Sequence, residues 1–174
     1  MSHSVILLQE PPSGGTKFEL GTATSRVNGE AALYVDSYSF SVVSGVDTSD
    51  RKNPGKSPPT FSPFFVSIPK HDEENWVGFT QFFDAAKDGV HIGDITIKEL
   101  TNFGDGPTPT TTITLTDVVP MDARKADDGS WNCTLKYGEV NMVHHEFDPA
   151  TAKQEGQVAT YYNLITSKNE EGAA

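Results

Sequence analysis

Cysteine is nearly missing from this chain of 174 residues: Cys133 stands alone, so no disulfide can close within it. A lone cysteine agrees with a reducing compartment and leaves the fold to be held by its core and its hydrogen bonds. Long apolar runs are missing as well. The opening "MSHSVILLQEPP" offers only Val5 to Leu8, too short for the core of a signal peptide and far short of a bilayer. The sequence therefore reads as made in the cytoplasm, with no general secretory export and no membrane insertion. Basic residues are few: 13 lysines and arginines against 24 acids give a net charge of −11. Most of such a surface would repel a phosphate backbone or an anionic bilayer, so nucleic acid is not an expected partner.

What is present is the vocabulary of an antiparallel β protein. Its length is that of one domain, read here as residues 1–174, with enough apolar side chains for one core. Valine, isoleucine, threonine, tyrosine and phenylalanine recur in short alternating runs between glycine, proline, asparagine and aspartate. In "TTITLTDVV", Ile113, Leu115 and Val119 are expected to point one way, and Thr112, Thr114, Thr116 and Val118 the other. In "LYVDSYSFSVV", Tyr34, Tyr38, Phe40 and Val42 share a face opposite Ser37, Ser39 and Ser41. Further strands are expected in "VILLQ", "KFELGTAT", "FFVSI", "HIGDITIKEL", "VPMDARKA", "WNCTLKYGEVNMVHHEF" and "QVATYYNLIT". Some nine strands are too many for one small flat sheet, so a barrel or two-sheet sandwich is expected. Asn28-Gly29 and Asp128-Gly129 mark tight hairpin turns. Ser44 to Thr60 lacks periodicity and is rich in proline and charge, which predicts a long protruding loop.

One segment carries the helical period. In "KHDEENWVGFTQFFDAAKDG", Trp76, Phe79, Phe83 and Ala86 fall on one stripe, acids precede it, Lys87 ends it and Gly89 can close it. A single amphipathic helix is predicted from about Glu73 to Lys87, its aromatic stripe facing the core.

Chemical constellations are thin. In "VNMVHHEFD" the adjacent His144 and His145 would point to opposite faces of a strand and cannot grip one ion. His144 and Glu146 share a face, but a metal site needs three or four ligands, and His3, His71 and His91 add no ligand spacing. Along the same run, Trp131, Cys133, Leu135 and Tyr137 alternate on one face, whereas Val140 and Met142 fall on the other; a bulge near Gly138 would re-aim the strand. There is no G-x-S-x-G elbow, and Cys133 lies mid-strand as a small hydrophobe. "NPGKS" lacks the first glycine of a phosphate loop and is followed by two prolines where a helix should start. No catalytic, cofactor-binding or metal-binding residue is assigned.

The order of elements is more informative than any motif. Two amino-terminal strands, "VDSYSFSVVSGV", a loop, a strand, one helix, "DITIKEL", "TITLTDVVPMDARKADDG", "TLKYGEVNMVHHEFD" and a final "YYNLIT" resemble the haemolysin-coregulated protein (Hcp) family, the tube subunit of type VI secretion. The likeness runs from about Val5 to Ser167 and is clearest from Ile95 to Phe147. The resemblance implies a small antiparallel β-barrel with one flanking α-helix. It also implies a six-membered ring, rings stacked into a hollow tube, and expulsion by a contracting sheath with spike and effector proteins. Such export needs no signal peptide, and no cofactor is implied. The loop at 44–60 and the helix depart from the family's glycine-rich loop and small-residue, cysteine-bearing helix. On the tube reading the ionic residues Asp47, Asp50, Arg51 and Lys52 are candidates for contact between rings, since a loop of mixed sign can meet a complementary surface. Three alternatives stand beside it: a monomeric or dimeric β-barrel that binds a ligand or peptide, a tail-tube protein of a related phage-like injection device, and a hydrolase using Glu146 or the His71 to Glu74 cluster.

Overall fold

The computed structural model of the chain describes residues 3–10, 26–27, 30–47, 55–56, 58–70, 74–103, 106–148, 150–151 and 153–165. In chain order the elements are β1 (His3–Glu10), β2 (Arg26–Val27), β3 (Glu30–Ala31), β4 (Leu33–Val35), β5 (Ser37–Ser39), β6 (Val42–Val43), β7 (Val46–Asp47), β8 (Gly55–Lys56), β9 (Thr60–Phe61) and β10 (Phe64–Ile68). The helix α1 (Glu74–Asp88) follows, then β11 (Gly93–Asn102), β12 (Pro107–Lys125), β13 (Trp131–Lys136), β14 (Glu139–Phe147) and β15 (Gln154–Asn163). Two antiparallel sheets result. The first runs β4-β1-β11-β12-β14-β15, and the second runs β12-β13-β10-β5. Because β12 belongs to both, and β4 leads directly into β5, the two sheets curl into the expected barrel. The predicted strand "KFELGTAT" and the turn at Asn28-Gly29 lie outside the described residues.

A strand that serves two sheets must exchange the face it buries when it crosses. In β12 the exchange falls at Asp117, whose φ of 55° lies in the left-handed region that aspartate tolerates better than most side chains. The turn is pinned on both sides: Asp117 N donates to Asp94 Oδ1 at 3.1 Å, and Asp117 Oδ1 lies 2.5 Å from His91 Nδ1. Ile113 and Leu115 are therefore buried as expected, but beyond the corner Val118 is buried and Val119 is only half-buried, the reverse of the alternation read from the sequence. The β13–β14 run makes the same crossing at Gly138. Trp131, Cys133, Leu135 and Tyr137 are buried before it and Val140 after it, so the predicted re-aiming is present and separates β13 from β14. A Cβ on Gly138 would stand 3.2 Å from Ile165 Cδ1 and 3.5 Å from Asp117 Cβ. The third crossing lies between β4 and β5, where Asp36 N donates to Ser67 O at 2.8 Å. Leu33 and Val35 face the core before it and Tyr38 and Phe40 pack against the core after it. Tyr34 is thus exposed and does not share a face with Tyr38, contrary to the reading of one unbroken strand.

Between the sheets, Ile95, Ile97, Ile113, Leu115 and Val140 meet Phe64, Val66, Ile68, Trp131 and Leu135. The rings of Tyr38 and Phe40 stack on Phe64 at 5.5 and 5.1 Å. The helix starts and ends within one residue of its expected limits, and Gly89, at φ 65°, closes it while Val90 N donates back to Ala85 O at 3.0 Å. Its inward face is rotated from the predicted stripe. Phe82 and Ala85 are buried, Phe79 lies at the margin, and Phe83 is 48% exposed. The cause is Gly78. A Cβ there would lie only 3.2 Å from Leu33 Cδ1, so the helix approaches the barrel along the glycine side, setting Phe82 and Phe79 at 5.5 and 5.8 Å from Trp131.

At one end the core gives way to a polar clasp: Tyr38 in the second sheet donates its hydroxyl to Glu99 Oε1 in the first, at 2.5 Å. Partial burial, and then the hydrogen bond and charge of Glu99, raise the Tyr38 pKa well above its ordinary value. Unfolded chains release that proton near pH 10, where the folded chain still holds it. Stability is expected to fall as pH rises beyond about 10, and Tyr38→Phe should show a shallower fall. Urea midpoints of the two proteins at pH 8 and pH 11 provide the check, and parallel losses would refute the role of the clasp.

Candidate assembly surfaces

The residues with chemical potential are dispersed by the fold. His144 Nδ1 lies 3.0 Å from Thr111 Oγ1, directly across the ladder, while His145 Nδ1 lies 3.0 Å from Gln154 Nε2 on the other face. The two histidines are thus separated by the strand, as expected. Among the described residues no group of three or more histidine, cysteine, aspartate or glutamate side chains could hold a metal ion. Cys133 is buried, and burial, with the charge of Asp122 behind it, raises its thiol pKa and disfavours the thiolate. His71, Asp72 and Glu73 lie outside the described residues. No described helix is long and apolar enough to cross a membrane.

Of the ionic residues proposed for contact between rings, Asp50, Arg51 and Lys52 lie outside the described residues, and Asp47 is the last paired position of β7, opposite Gly55. Short paired segments lie within and beside the stretch expected to be a long protruding loop. Val42 and Val43 pair with Phe61 and Thr60, and Val46 and Asp47 pair with Lys56 and Gly55, so a two-stranded ribbon continues outward from the β5–β10 pair. Its root is fixed by the Phe61 ring stacked on Tyr162 at 4.6 Å, the Tyr137 hydroxyl donating to Ser62 O at 3.0 Å, and Ser62 N donating to Ser41 O at 2.9 Å.

The outward face of the second sheet follows from register. Ser39, Phe65, Thr134 and Asp122 form one row, and Ser37, Ser67, Asn132 and Arg124 the next. These side chains line a shallow trough of about 630 Å3. Phe65 is 46% exposed in it, while Asp122 accepts from Thr134 Oγ1 at 3.1 Å and lies 3.6 Å from Arg124. On the first sheet the row Thr96, Thr114, Asn141 and Tyr161 is uncharged, with Thr96 buried and the other three half-buried, and among the described residues β15 pairs with β14 alone. Exposed apolar side chains were legible in the sequence through one signal that alternation alone obscures. Consecutive apolar residues in a strand, as in Val42-Val43 and Phe64-Phe65, cannot both enter one core.

Such surfaces suit association more than bond-making, and the architecture defines a class: a small barrel of two sheets joined by shared strands, with one helix on its flank and a ribbon leaving the second sheet. This is the Hcp fold. The chain is similar to a type six secretion system protein of known structure at a TM-score of 0.77 and 15% identity, over 97% of this chain and 100% of that one. It is similar to Hcp1 from Salmonella typhimurium at 0.67 and 12%, over 98% and 100%. A type VI secretion system effector from Yersinia pestis matches at 0.61 and 13%, over 91% and 98%. In sequence, no family model and no curated protein matches the chain.

The stack of Phe61 on Tyr162 is predicted to set the ribbon's position. Phe61→Ala should cost about 1 to 2 kcal/mol and speed exchange of the Ser62 amide, leaving β11 amides at the native rate. Equal protection of Ser62 in both proteins would contradict that assignment.

Proposed function

We propose that the chain is the inner-tube subunit of a type VI secretion system, assembling into hexameric rings that stack into a hollow tube and leave the cell with effector proteins. The observation that carries this reading is a shared fold across nearly the full length of this chain and of the type VI proteins it resembles. The surface supports it. Val42, Val43, Phe65 and Val158 are exposed on strands, where a monomer gains nothing from them and an assembly can bury them. The role is structural, with no cofactor. Partners are other copies of the chain, a contractile sheath, a spike and the carried effectors, and the chain leaves the cell through the machine itself. In a hexameric ring the contacts are heterologous, each copy offering two different surfaces.

Within this reading the segment at 44–60, whose ionic residues include Asp47, Asp50, Arg51 and Lys52, makes the contact between stacked rings. A segment of mixed sign can meet a complementary surface on the next ring. A barrel with an open trough is also the form of a ligand- or peptide-binding module, and the trough beside Phe65 is the observation that favours that second reading.

Light scattering on the purified protein separates the two. The tube reading predicts a mass about six times that of the chain, with annular particles in negative stain; a persistent monomer would favour the binding module. Deleting Asp47 to Lys56 is expected to leave rings intact while shortening or abolishing tubes. Tubes of unchanged length would overturn the ribbon's part in stacking.

A further inference from the structure

Each copy carries a net charge of −11, so copies repel one another unless their contact surfaces are poor in charge or paired in sign. Among the uncharged runs of the sequence are residues 37–46, "SYSFSVVSGV", and residues 57–69, "SPPTFSPFFVSIP". They lie far apart in sequence, yet the fold places them side by side. β5 pairs with β10, and β6 pairs with β9, so the two uncharged runs form one ladder from the second sheet into the root of the ribbon.

The outward side of that ladder is not a neutral surface of small polar groups alone. Phe65 is 46% exposed, opposite Ser39, and Val43 is 64% exposed, opposite Thr60. The surface is concave, since the trough of about 630 Å3 lies over β5 and β10 and the neighbouring β13 and β12, with Pro63 in its lining and the oppositely charged Asp122 and Arg124 on the β12 side. The chain's own ribbon continues β5 and β10 and therefore leads away from the trough. On a strongly acidic protein, a concave surface with uncharged β5 and β10 on one side and a charge pair of opposite sign, Asp122 and Arg124, on the other calls for an occupant that adds no net charge to it.

We propose that this band, with Val43, Phe65, Ser37, Ser39, Thr60 and Ser67 facing outward, is the seat of a second copy of the chain and the apolar part of the ring contact. The proposal rests on the tube reading and adds to it the surface by which neighbours within a ring adhere, distinct from the ionic residues Asp47, Asp50, Arg51 and Lys52. Burying Phe65 and Val43 supplies the attraction, and the absence of charge along both strands limits the repulsion that the remaining surface imposes.

Phe65→Lys and Val43→Lys test it, with Val90→Lys as the control. Val90 is exposed to a similar degree, 50%, but sits beyond the helix, outside the band. All three positions are on the surface, so thermal midpoints close to that of the parent protein are expected, and the two band variants guard against one failing to fold. The expected result is that each band variant raises the concentration needed for ring formation at least tenfold, whereas Val90→Lys assembles like the parent. If the parent forms rings and both band variants do so at the parent's concentration, this seat is wrong and the tube reading stands. If Val90→Lys disrupts rings as strongly as the band variants, added positive charge alone is responsible and the seat is again wrong. If the parent forms no rings, the tube reading and the seat fall together.

Discussion

The structure depends on three places where a strand exchanges the side it buries. A sheet strand presents alternate residues to opposite faces, so a chain segment passing from one sheet to another cannot keep a single phase without burying its polar side. β12 makes the exchange at Asp117, the β13–β14 run at Gly138, and the β4–β5 run at Asp36. Two of these meet: Asp117 Cβ is within 3.5 Å of where a side chain on Gly138 would begin, and Gly138 N donates to Thr116 O at 2.9 Å. The corner is therefore one joint built from two strands. Its geometry decides which of Val118 and Val119 enters the core, where the second sheet begins, and where the β5–β10 pair and the ribbon that continues it are carried.

The same constraint explains what could be read in the sequence. Strand positions, the single helix and the turn at Asp128-Gly129 follow from local chemistry: alternation, a helical period with Gly89 to end it, and a glycine at φ 90°. The break at Gly138 was legible because apolar residues visibly change parity there. The break at Asp117 was not, since "DVV" offers an apolar residue to either phase and only the contacts with His91 and Asp94, distant in sequence, select one. The helix face was misjudged for a related reason. Phe79, Phe82 and Phe83 all lie near one side, and the choice among them is made by how closely Gly78 lets the helix approach Leu33, a tertiary fact.

The ribbon shows a further limit of local reading. Proline and charge between Ser44 and Thr60 pointed to a protruding loop, and the pairing of Val46 and Asp47 with Lys56 and Gly55 within it is a long-range property that no window of sequence contains. Exposed apolar residues were the stronger clue to function. Where consecutive valines or phenylalanines occupy a strand, one of each pair must leave the core, and in a chain this acidic the neutral places it occupies stand out. The proposed assembly thus divides its contacts by chemistry, with the uncharged β5–β10 ladder within a ring and the ionic segment at 44–60 between rings.

That division is most directly tested by sedimentation velocity on the purified protein as salt is raised from about 30 mM to about 300 mM, a range over which the screening length falls roughly threefold. Rings that adhere through uncharged surface while their acidic bodies repel should persist or become more abundant as salt rises. Rings that dissociate into single chains with added salt would show that ion pairs hold neighbours together, and would contradict the account.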